Sequence, residues 1–343
     1  MFNPLRNKKI FIAGHRGMVG SAIVKYFKNQ GVKKLILVSR KKLDLLSQDK
    51  VYKFIKNKKP DVIINCAGKV GGILANSKYP VEFLNINILI QLNLINAAYQ
   101  NKIHNFINLG SSCIYPKKAK QPIKEDYLLS SSLEKTNEAY ALAKIIGLKA
   151  CEYYNKQYGT SYLTLMPCNL YGPNDNFNLK NSHFVPALIK KITNSSSGKK
   201  SKIEIWGTGN AKREVMYVDD LASAIFFILK KKILKNKKFL KIIKKNPVIN
   251  LGSGKDFSIK QFAKMICRLS EKKDNLYYNK KYPDGTMRKI LDNKTIRSLG
   301  WEPKISLEQG LFKTIEWYKE KSLCRSEFLK ILAFFQCTVY YVA

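Results

Sequence analysis

Histidine and acidic residues are scarce in this chain. Of 343 residues only 3 are histidine, and 24 aspartates and glutamates face 62 lysines and arginines, so the formal net charge is +38. The basic excess consists of 54 lysines and only 8 arginines, spread over the whole chain. Proteins that read nucleic-acid bases favour the bidentate fork of arginine. We therefore predict no nucleic-acid partner and expect a solvated basic surface that attracts anionic ligands. A basic nucleic-acid-binding domain is the alternative from another class.

The cysteines lack the paired spacing of a metal site or a disulfide framework. Their number, seven, is odd, and no CxxC motif occurs among them. This predicts free thiols in a reducing, cytoplasmic compartment and no bound metal. The first residues, MFNPLRNKKIFIAG, have too short an apolar run for a signal peptide. No stretch reaches the ~18 apolar residues that a membrane span needs, so we predict none.

Short apolar runs alternate with helical periodicity over the first 115 residues. Strands are predicted at 8–14, 34–39 and 61–68, helices at 20–31, 47–59 and 81–100, and another strand before residue 110. This alternation is typical of an α/β fold with a doubly wound parallel sheet of the Rossmann type. The stretch 173–216 is predicted to be loop-rich, with NSSSGKKSK as an exposed loop. We predict a Rossmann domain (1–172 plus 217–252), a smaller C-terminal α/β substrate domain (173–216 plus 253–321) and an atypical apolar tail (322–343).

A glycine-rich loop joins the first predicted strand to the first helix. Gly14, Gly17 and Gly20 form a GxxGxxG pattern, which lets the backbone approach a pyrophosphate at the helix N-terminus. An acidic residue at the end of the second strand would bind a ribose 2′-hydroxyl, but this strand is followed by Arg40. Arg16 in the glycine loop is a second candidate for a 2′-phosphate. The charge pattern therefore favours NADP(H) over NAD.

A YxxxK motif and a serine supply the candidate catalytic groups. Tyr140 and Lys144 are four residues apart in a helical stretch, so both side chains lie on one face. A cationic lysine favours the phenolate of a tyrosine whose ordinary pKa is ~10. Ser111 follows an apolar strand and is placed to hydrogen-bond a substrate oxygen. The combination of a GxxGxxG loop with these three residues later in the chain resembles the motifs of the extended short-chain dehydrogenase/reductase family. That family acts largely on nucleotide-linked sugars.

Further motifs narrow this resemblance. FIAGHRGMVGSAI, KVGGI (69–73), GSSCIYP (110–116), NSHFVPALI (181–189) and PDGTMRK (283–289) are similar to the GDP-L-fucose synthase family, from about residue 8 to 321. The resemblance implies NADPH-dependent 3,5-epimerisation and 4-reduction of a GDP-linked 4-keto-6-deoxy-mannose. It also implies that Cys113 is the base and His183 the acid of the epimerisation, because a thiol and an imidazole have intermediate pKa values. Ser111 and Tyr140 would stabilise the enolate.

The resemblance also implies the binding residues. The predicted cofactor site comprises Gly14, His15, Arg16, Gly17, Met18, Val19, Gly20, Arg40, Leu109, Gly110, Ser111, Ser112, Lys144, Pro167, Cys168, Asn169, Leu170 and His183. The predicted substrate contacts are Lys191, Trp206, Arg213, Asp284 and Lys289. Lys191 stands where the family often has arginine, and Cys168 where threonine is usual. The family often forms homodimers, which we also expect here. Another nucleotide-sugar epimerase or dehydratase of the same fold is the alternative, and tightly held NAD would favour it.

Overall fold

The central feature is a parallel sheet whose strands alternate with helices. The computed structural model describes residues 3–179, 181–195, 202–282 and 284–339. The sheet strands are β1 (Lys9–Ala13), β2 (Lys34–Ile36), β3 (Val62–Asn65), β4 (Asn105–Leu109), β5 (Leu163–Pro167) and, later in the chain, β9 (Val248–Leu251). Their order is β2-β1-β3-β4-β5-β9, and every pair is parallel. The prediction of a doubly wound α/β fold is confirmed.

Helices cover both faces of this sheet. They are α1 (Met18–Asn29), α2 (Gln48–Lys58), α3 (Ile73–Lys78), α4 (Pro80–Gln100), α5 (Glu138–Tyr158), α7 (Val218–Ile233) and α8 (Lys237–Lys245). Helix α1 packs against α7 on one side, and α4 packs against α5 and α2 on the other. All four residues of β3 are buried, as expected for a strand covered on both faces. The strand predicted at 34–39 is shorter in the structure, where β2 ends at Ile36.

The remaining strands form two small sheets beside the carboxyl ends of the parallel strands. They are β6 (Asn169–Tyr171), β7 (Ile203–Trp206), β8 (Lys212–Tyr217), β10 (Asp256–Ser258), β11 (Leu276–Asn279) and β12 (Arg288–Lys289). Strand β8 pairs with β6, β10 and β12, and β7 pairs with β11. Helices α6 (Phe184–Thr193), α9 (Ile259–Leu269), α10 (Lys294–Ser298) and α11 (Leu307–Val339) complete the described chain.

The stretch 173–216 corrects one sequence-based prediction. We predicted it to be loop-rich, but it contains α6, β7 and most of β8. The FVPALIKKIT segment of α6 buries Val185, Ile189 and Ile192 against a second hydrophobic core, and this tertiary burial stabilises a helix too short to be stable alone. The centre of NSSSGKKSK, residues 196–201, lies outside the described residues. The predicted tail begins inside α11, whose backbone continues to Val339.

Within the described residues, one helix has the length and composition of a membrane span. It is α4, with a mean hydropathy of 1.3, and half of that window is buried inside the protein. The amides of Asn87 and Gln91 on this helix are buried and hydrogen-bonded to carbonyl oxygens, those of Gln91 to Asn87 and Ala143. This helix therefore occupies the position of a core helix between α2 and α5.

Candidate active site

Two glycines of the loop leave no room for a side chain against neighbouring backbone. Gly14 has φ +81°, and a Cβ there would lie 2.8 Å from the Ala67 nitrogen. A Cβ on Gly20 would lie 2.2 Å from the Gly14 oxygen. Helix α1 starts after Gly17 without a side-chain cap, so its first-turn N–H groups are available to an anion. His15 Nδ1 is buried without a hydrogen-bond partner among the described residues.

The two arginines expected at a 2′-phosphate are both exposed. Arg16 lies in the glycine loop, and Arg40 lies in a turn after β2. Strand β2 ends at Ile36, so Arg40 is carried by the loop that follows the strand. Both guanidinium groups can therefore reorient toward a ligand. Their role in cofactor choice stays a prediction.

A tight turn after β4 brings a hydroxyl and a thiol together. Ser111 precedes a short 3-10 helix, Ser112–Ile114, and its Oγ accepts a hydrogen bond from the Cys113 nitrogen at 3.4 Å. The turn lies at the carboxyl end of the sheet, where α/β proteins bind their ligands. Gly110 is confined there, since a Cβ would lie 2.3 Å from Met166 Sδ. Ser111 and Cys113 therefore line the same end of the sheet.

Helix α5 presents Tyr140 and Lys144 to this turn. Lys144 is 5% exposed, and its Nζ donates a 2.8 Å hydrogen bond to the Leu109 carbonyl oxygen. It lies 5.7 Å from the centre of the Tyr140 ring. Burial raises the pKa of Tyr140, and the Cys113 charge adds to this, while a hydrogen bond with Ser111 acts against it. Burial thus outweighs the help to the phenolate that we expected from Lys144, whose own pKa burial lowers to about 8.

Three groups favour the thiolate of Cys113 against its burial. Burial raises the pKa of Cys113. The Lys289 charge opposes this most, followed by a hydrogen bond with Ser111 and the Lys144 charge. Lys289, predicted as a substrate contact, is thus near enough to Cys113 to influence its ionisation. The structure therefore brings Ser111, Cys113, Tyr140, Lys144 and Lys289 into one cluster.

His183 lies next to the KVGGI segment, on the side opposite Tyr140. It immediately precedes α6, and its side chain is exposed. Gly72 N–H donates to the Asn181 oxygen at 2.9 Å, and a Cβ on Gly72 would lie 2.6 Å from the Ser182 oxygen. Surrounding protein atoms lower the pKa of His183 by desolvation even though the ring reaches solvent.

The same segment also touches the tyrosine side of the site. A Cβ on Gly71 would lie 3.1 Å from the Phe83 ring, and this ring packs edge-on against Tyr140 at 6.2 Å. Gly72 on the other side contacts the residues just before His183. The KVGGI segment therefore links the Tyr140 helix to the His183 loop.

The remaining predicted cofactor residues end β4 and β5. Leu109 is the last residue of β4 and Gly110 comes directly after it. Pro167 is the last residue of β5 and is followed by Cys168, Asn169 and Leu170. The Cys168 nitrogen donates to the Leu251 oxygen of β9 at 2.8 Å. Ser112, Cys168, Asn169 and Lys289 line one small cavity that has no room for a water molecule. Met18 and Val19 lie in the first turn of α1.

Two aromatic rings are stacked on the substrate side. Trp206, at the end of β7, stacks on Tyr282 with 4.4 Å between ring centres and 15° between planes. They are 45% and 40% exposed, respectively, so the pair presents an aromatic surface to solvent. Lys191 Nζ lies 5.4 Å from the Trp206 ring centre and donates to the Glu204 oxygen at 3.1 Å. A purine base stacks well on such a surface.

Arg213 and Lys289 lie side by side on neighbouring strands. They are directly paired in the parallel register of β8 and β12. Arg213 Nη1 donates to the Thr286 oxygen at 2.5 Å, which fixes the guanidinium. Asp284 accepts from the Thr208 nitrogen and from Thr208 Oγ1, both at 2.8 Å. Its carboxylate therefore braces the Gly207 turn, while a direct substrate contact by Asp284 stays a prediction.

Two residues of this region were missed from sequence. Tyr282 precedes the PDGTMRK motif, and Glu214 follows Arg213 directly in β8. Glu214 is 2% exposed, and Tyr282 covers Trp206. The only signal for Glu214 in the sequence is its position directly before the apolar residues 215–217 of β8. Its burial depends on pairing with distant strands, which the local sequence does not show.

The chain is similar to proteins of one enzyme family. The profile of the NAD dependent epimerase/dehydratase family matches residues 10–242. The GDP-L-fucose synthase of Escherichia coli (strain K12) is 43% identical, covering 92% of this chain and 98% of that protein. The GDP-L-colitose synthase of Yersinia pseudotuberculosis is 42% identical, covering 90% and 97%. The resemblance to GDP-L-fucose synthases is thereby confirmed.

A solved structure shares the whole architecture. It is the GDP-mannoheptose C4 reductase MlghC from Campylobacter jejuni with NADP bound, with a TM-score of 0.82 and 36% identity. The match covers 92% of this chain and 99% of that one. The two proteins therefore share a fold over nearly the whole length of both chains.

Proposed function

The chain belongs to the NAD dependent epimerase/dehydratase family, and from this premise we propose that it is an NADPH-dependent epimerase and reductase of a GDP-linked sugar. Its reaction would be 3,5-epimerisation and 4-reduction of GDP-4-keto-6-deoxy-D-mannose to GDP-L-fucose. The observation that carries the proposal is the thiol of Cys113 beside Ser111, Tyr140 and Lys144. A simple reductase needs the hydroxyl groups and the lysine, whereas the thiol adds a group that exchanges carbon-bound protons.

The residues present fit NADP(H). The close backbone contacts at Gly14 and Gly20, the uncapped start of α1 and the unpartnered His15 Nδ1 form a cradle for a dinucleotide. Arg16 and Arg40 supply positive charge for a 2′-phosphate. When bound, this cofactor supplies the hydride that reduces the ketone. The NADP in MlghC, which shares the fold, supports the same cofactor here.

Proton transfer at carbons 3 and 5 falls to Cys113 and His183. The ketone at carbon 4 makes both neighbouring protons acidic, so groups of intermediate pKa can move them. In our proposal Cys113 takes a proton and His183 returns one to the other face. Burial opposes the thiolate, and Lys289 and Lys144 favour it.

Ser111 and Tyr140 act at the oxygen on carbon 4. Hydrogen bonds from the two hydroxyl groups stabilise the negative charge that develops there during epimerisation. Tyr140 then donates its proton when the carbonyl is reduced. Burial keeps this phenol protonated until that step.

The GDP group fits the surface formed by β7, β8 and β12, which begins at the Cys113 cluster with Lys289. Trp206 offers a stacking surface, and Arg213, Lys289 and Lys191 provide positive charge for the diphosphate. Asp284 holds the Gly207 turn, which follows Trp206. We therefore assign the sugar to the Cys113 end and the base to the Trp206 end.

The proposal includes the domain division and the assembly. The division into 1–172 plus 217–252 and 173–216 plus 253–321 is supported by the separate parallel sheet and small sheets. A homodimer is supported by exposed apolar side chains on α4 and α5, among them Leu89, Leu142, Ile146 and Tyr153. The cysteines described as free, including buried Cys151 and Cys267, support a cytoplasmic location.

The proposed activity is tested with purified protein, GDP-4-keto-6-deoxy-D-mannose and NADPH. We expect stoichiometric NADPH oxidation and GDP-L-fucose as the product, identified by chromatography and NMR. Cys113→Ser should still bind NADPH but yield little fucose. Failure of the wild-type protein to oxidise NADPH with this substrate would contradict the proposal.

A second candidate is a related reaction on another nucleotide-linked sugar. This candidate rests on the 42% identity to GDP-L-colitose synthase, nearly equal to the 43% identity to the GDP-L-fucose synthase of Escherichia coli. A panel of GDP-linked 4-keto sugars in the same assay separates the two. A net non-redox epimerase or a dehydratase would instead retain tightly bound NAD and consume no NADPH.

A further inference from the structure

A buried carboxylate lies between the predicted cofactor and substrate residues. Glu214 is on β8 next to Arg213 and is 2% exposed. Its Oε1 accepts a hydrogen bond from the Gly254 nitrogen at 2.7 Å, and its Oε2 accepts one from the Leu291 nitrogen at 2.9 Å. Among the described residues, no lysine or arginine forms an ion pair with it. Both oxygens are thus used to hold backbone.

The two bonds join segments that are distant in sequence. Gly254 follows β9, the last strand of the parallel sheet, whose Leu251 oxygen binds the Cys168 nitrogen. Leu291 comes two residues after Lys289 of β12. Glu214 therefore fixes three pieces of chain to one another: the strand of Arg213, the segment of Lys289, and the loop beside Cys168.

The carboxylate is closely surrounded. A Cβ on Gly252 would lie 2.3 Å from Glu214 Oε1, so a side chain there would displace the carboxylate. Glu214 also lines the small cavity whose other lining residues include Ser112, Cys168, Asn169 and Lys289. Burial raises the pKa of Glu214 to about 7, with the two backbone hydrogen bonds acting against this. Such a costly placement needs a positional purpose.

We propose that Glu214 is a positioning residue that holds Arg213 and Lys289 at a fixed distance from the Cys168 wall of the cofactor site. This inference rests on the proposed function, in which the two cations bind the nucleotide diphosphate. Arg213 and Lys289 repel each other, and this repulsion lowers the pKa of Lys289 in addition to the larger effect of burial. Glu214 holds their strands through backbone N–H groups, so neither cation is neutralised by an ion pair with it and both charges remain for a diphosphate.

Glu214→Gln tests the proposal. Glutamine keeps the size but has only one acceptor oxygen, so one of the two backbone N–H groups loses its partner. We expect the KM for the GDP-sugar and the Kd for GDP to rise about tenfold. The Kd for NADPH and kcat should change less than about twofold. Because Glu214 acts through Arg213, the effects of Glu214→Gln and Arg213→Lys should not add.

Glu308→Gln is the matched control, since it makes the same change in an exposed ion pair with Arg268 of α9 rather than at β8 or β12. Equal changes in KM for the two variants at equal loss of Tm would mean a general loss of stability and would overturn the proposal. Wild-type affinity in Glu214→Gln would overturn it as well. If Glu214→Gln does not fold, Gly252→Ala displaces the carboxylate without removing it and should give the same rise in KM. A wild-type protein that binds no GDP would instead refute the proposed function.

Discussion

Lys144 ties the catalytic helix to the sheet. Its ammonium donates a 2.8 Å hydrogen bond to the carbonyl oxygen of Leu109, the last residue of β4, two residues before Ser111. This bond sets the distance between the Tyr140 helix and the Ser111 turn. The two hydroxyl groups that we propose contact the ketone are therefore positioned by one buried lysine.

Lys144→Met should reduce NADPH oxidation by about 10²-fold or more, because the proton path through Tyr140 loses both its charge and its anchor. Steady-state kinetics with the GDP-sugar measures this. Lys149→Met, on the same helix but in a half-exposed pair with Glu152, serves as the control and should stay within about twofold of wild type. Comparable losses in both variants would contradict the role of Lys144.

Lys289 should set the pH range of epimerisation. Burial raises the pKa of Cys113 and Lys289 lowers it, so Lys289→Met should move the thiolate limb of the profile to higher pH. Wild-type exchange of sugar protons should increase with pH as the thiolate forms. Exchange rates between pH 6 and 9.5 test this. Arg288→Gln, exposed on the same strand, should leave the profile in place; an unshifted profile for Lys289→Met would refute the coupling.

The Trp206–Tyr282 pair should contribute to binding of the guanine base. Tyr282→Ala removes the stacked ring and should weaken GDP binding about fivefold. Calorimetric titration with GDP gives the affinity. Tyr277→Ala, an exposed tyrosine on β11, is the matched control. If both variants bind GDP as wild type does, the aromatic pair has no part in the site.

Lys232 should make the stability of the folded protein rise with pH in the alkaline range. Its Nζ donates to the His104 and Ser161 oxygens, and burial lowers its pKa to about 7. The unfolded chain has a lysine pKa of ~10.4, so between these values the unfolded state binds more protons and stability rises with pH.

Lys232→Met lacks this titration, so its Tm relative to wild type should fall as pH increases from 7 to 9. Thermal unfolding at several pH values measures the difference. The exposed Lys237→Met provides the comparison. If the difference in Tm between Lys232→Met and wild type is the same at every pH, the pKa of Lys232 is not lowered in the folded protein.

Local patterns predicted much of this site. The glycine loop before α1, the YxxxK spacing on α5 and the serine after β4 depend on residues close in sequence, and each was found where predicted. Helical and strand periodicity is a local property, so it needs no knowledge of the partner strands.

Long-range pairing explains what the sequence could not give. Lys289 reaches the Cys113 cluster only because β12 pairs with β8, and Glu214 is buried only by segments 40 and 77 residues away. The helix and strands in 173–216 form against distant apolar residues such as Phe262. The buried residues Val185, Leu188, Ile189 and Ile192 give α6 a helical periodicity, but that pattern does not identify the distant residues that cover it.

The most direct test of the account is solvent deuterium incorporation at carbons 3 and 5 of the GDP-sugar, followed by mass spectrometry and NMR. Wild-type protein should incorporate deuterium at both carbons before reduction. Cys113→Ser and His183→Gln should lower incorporation by about 10²-fold while NADPH binding is retained. Wild-type incorporation in either variant would show that its side chain moves no proton in the reaction.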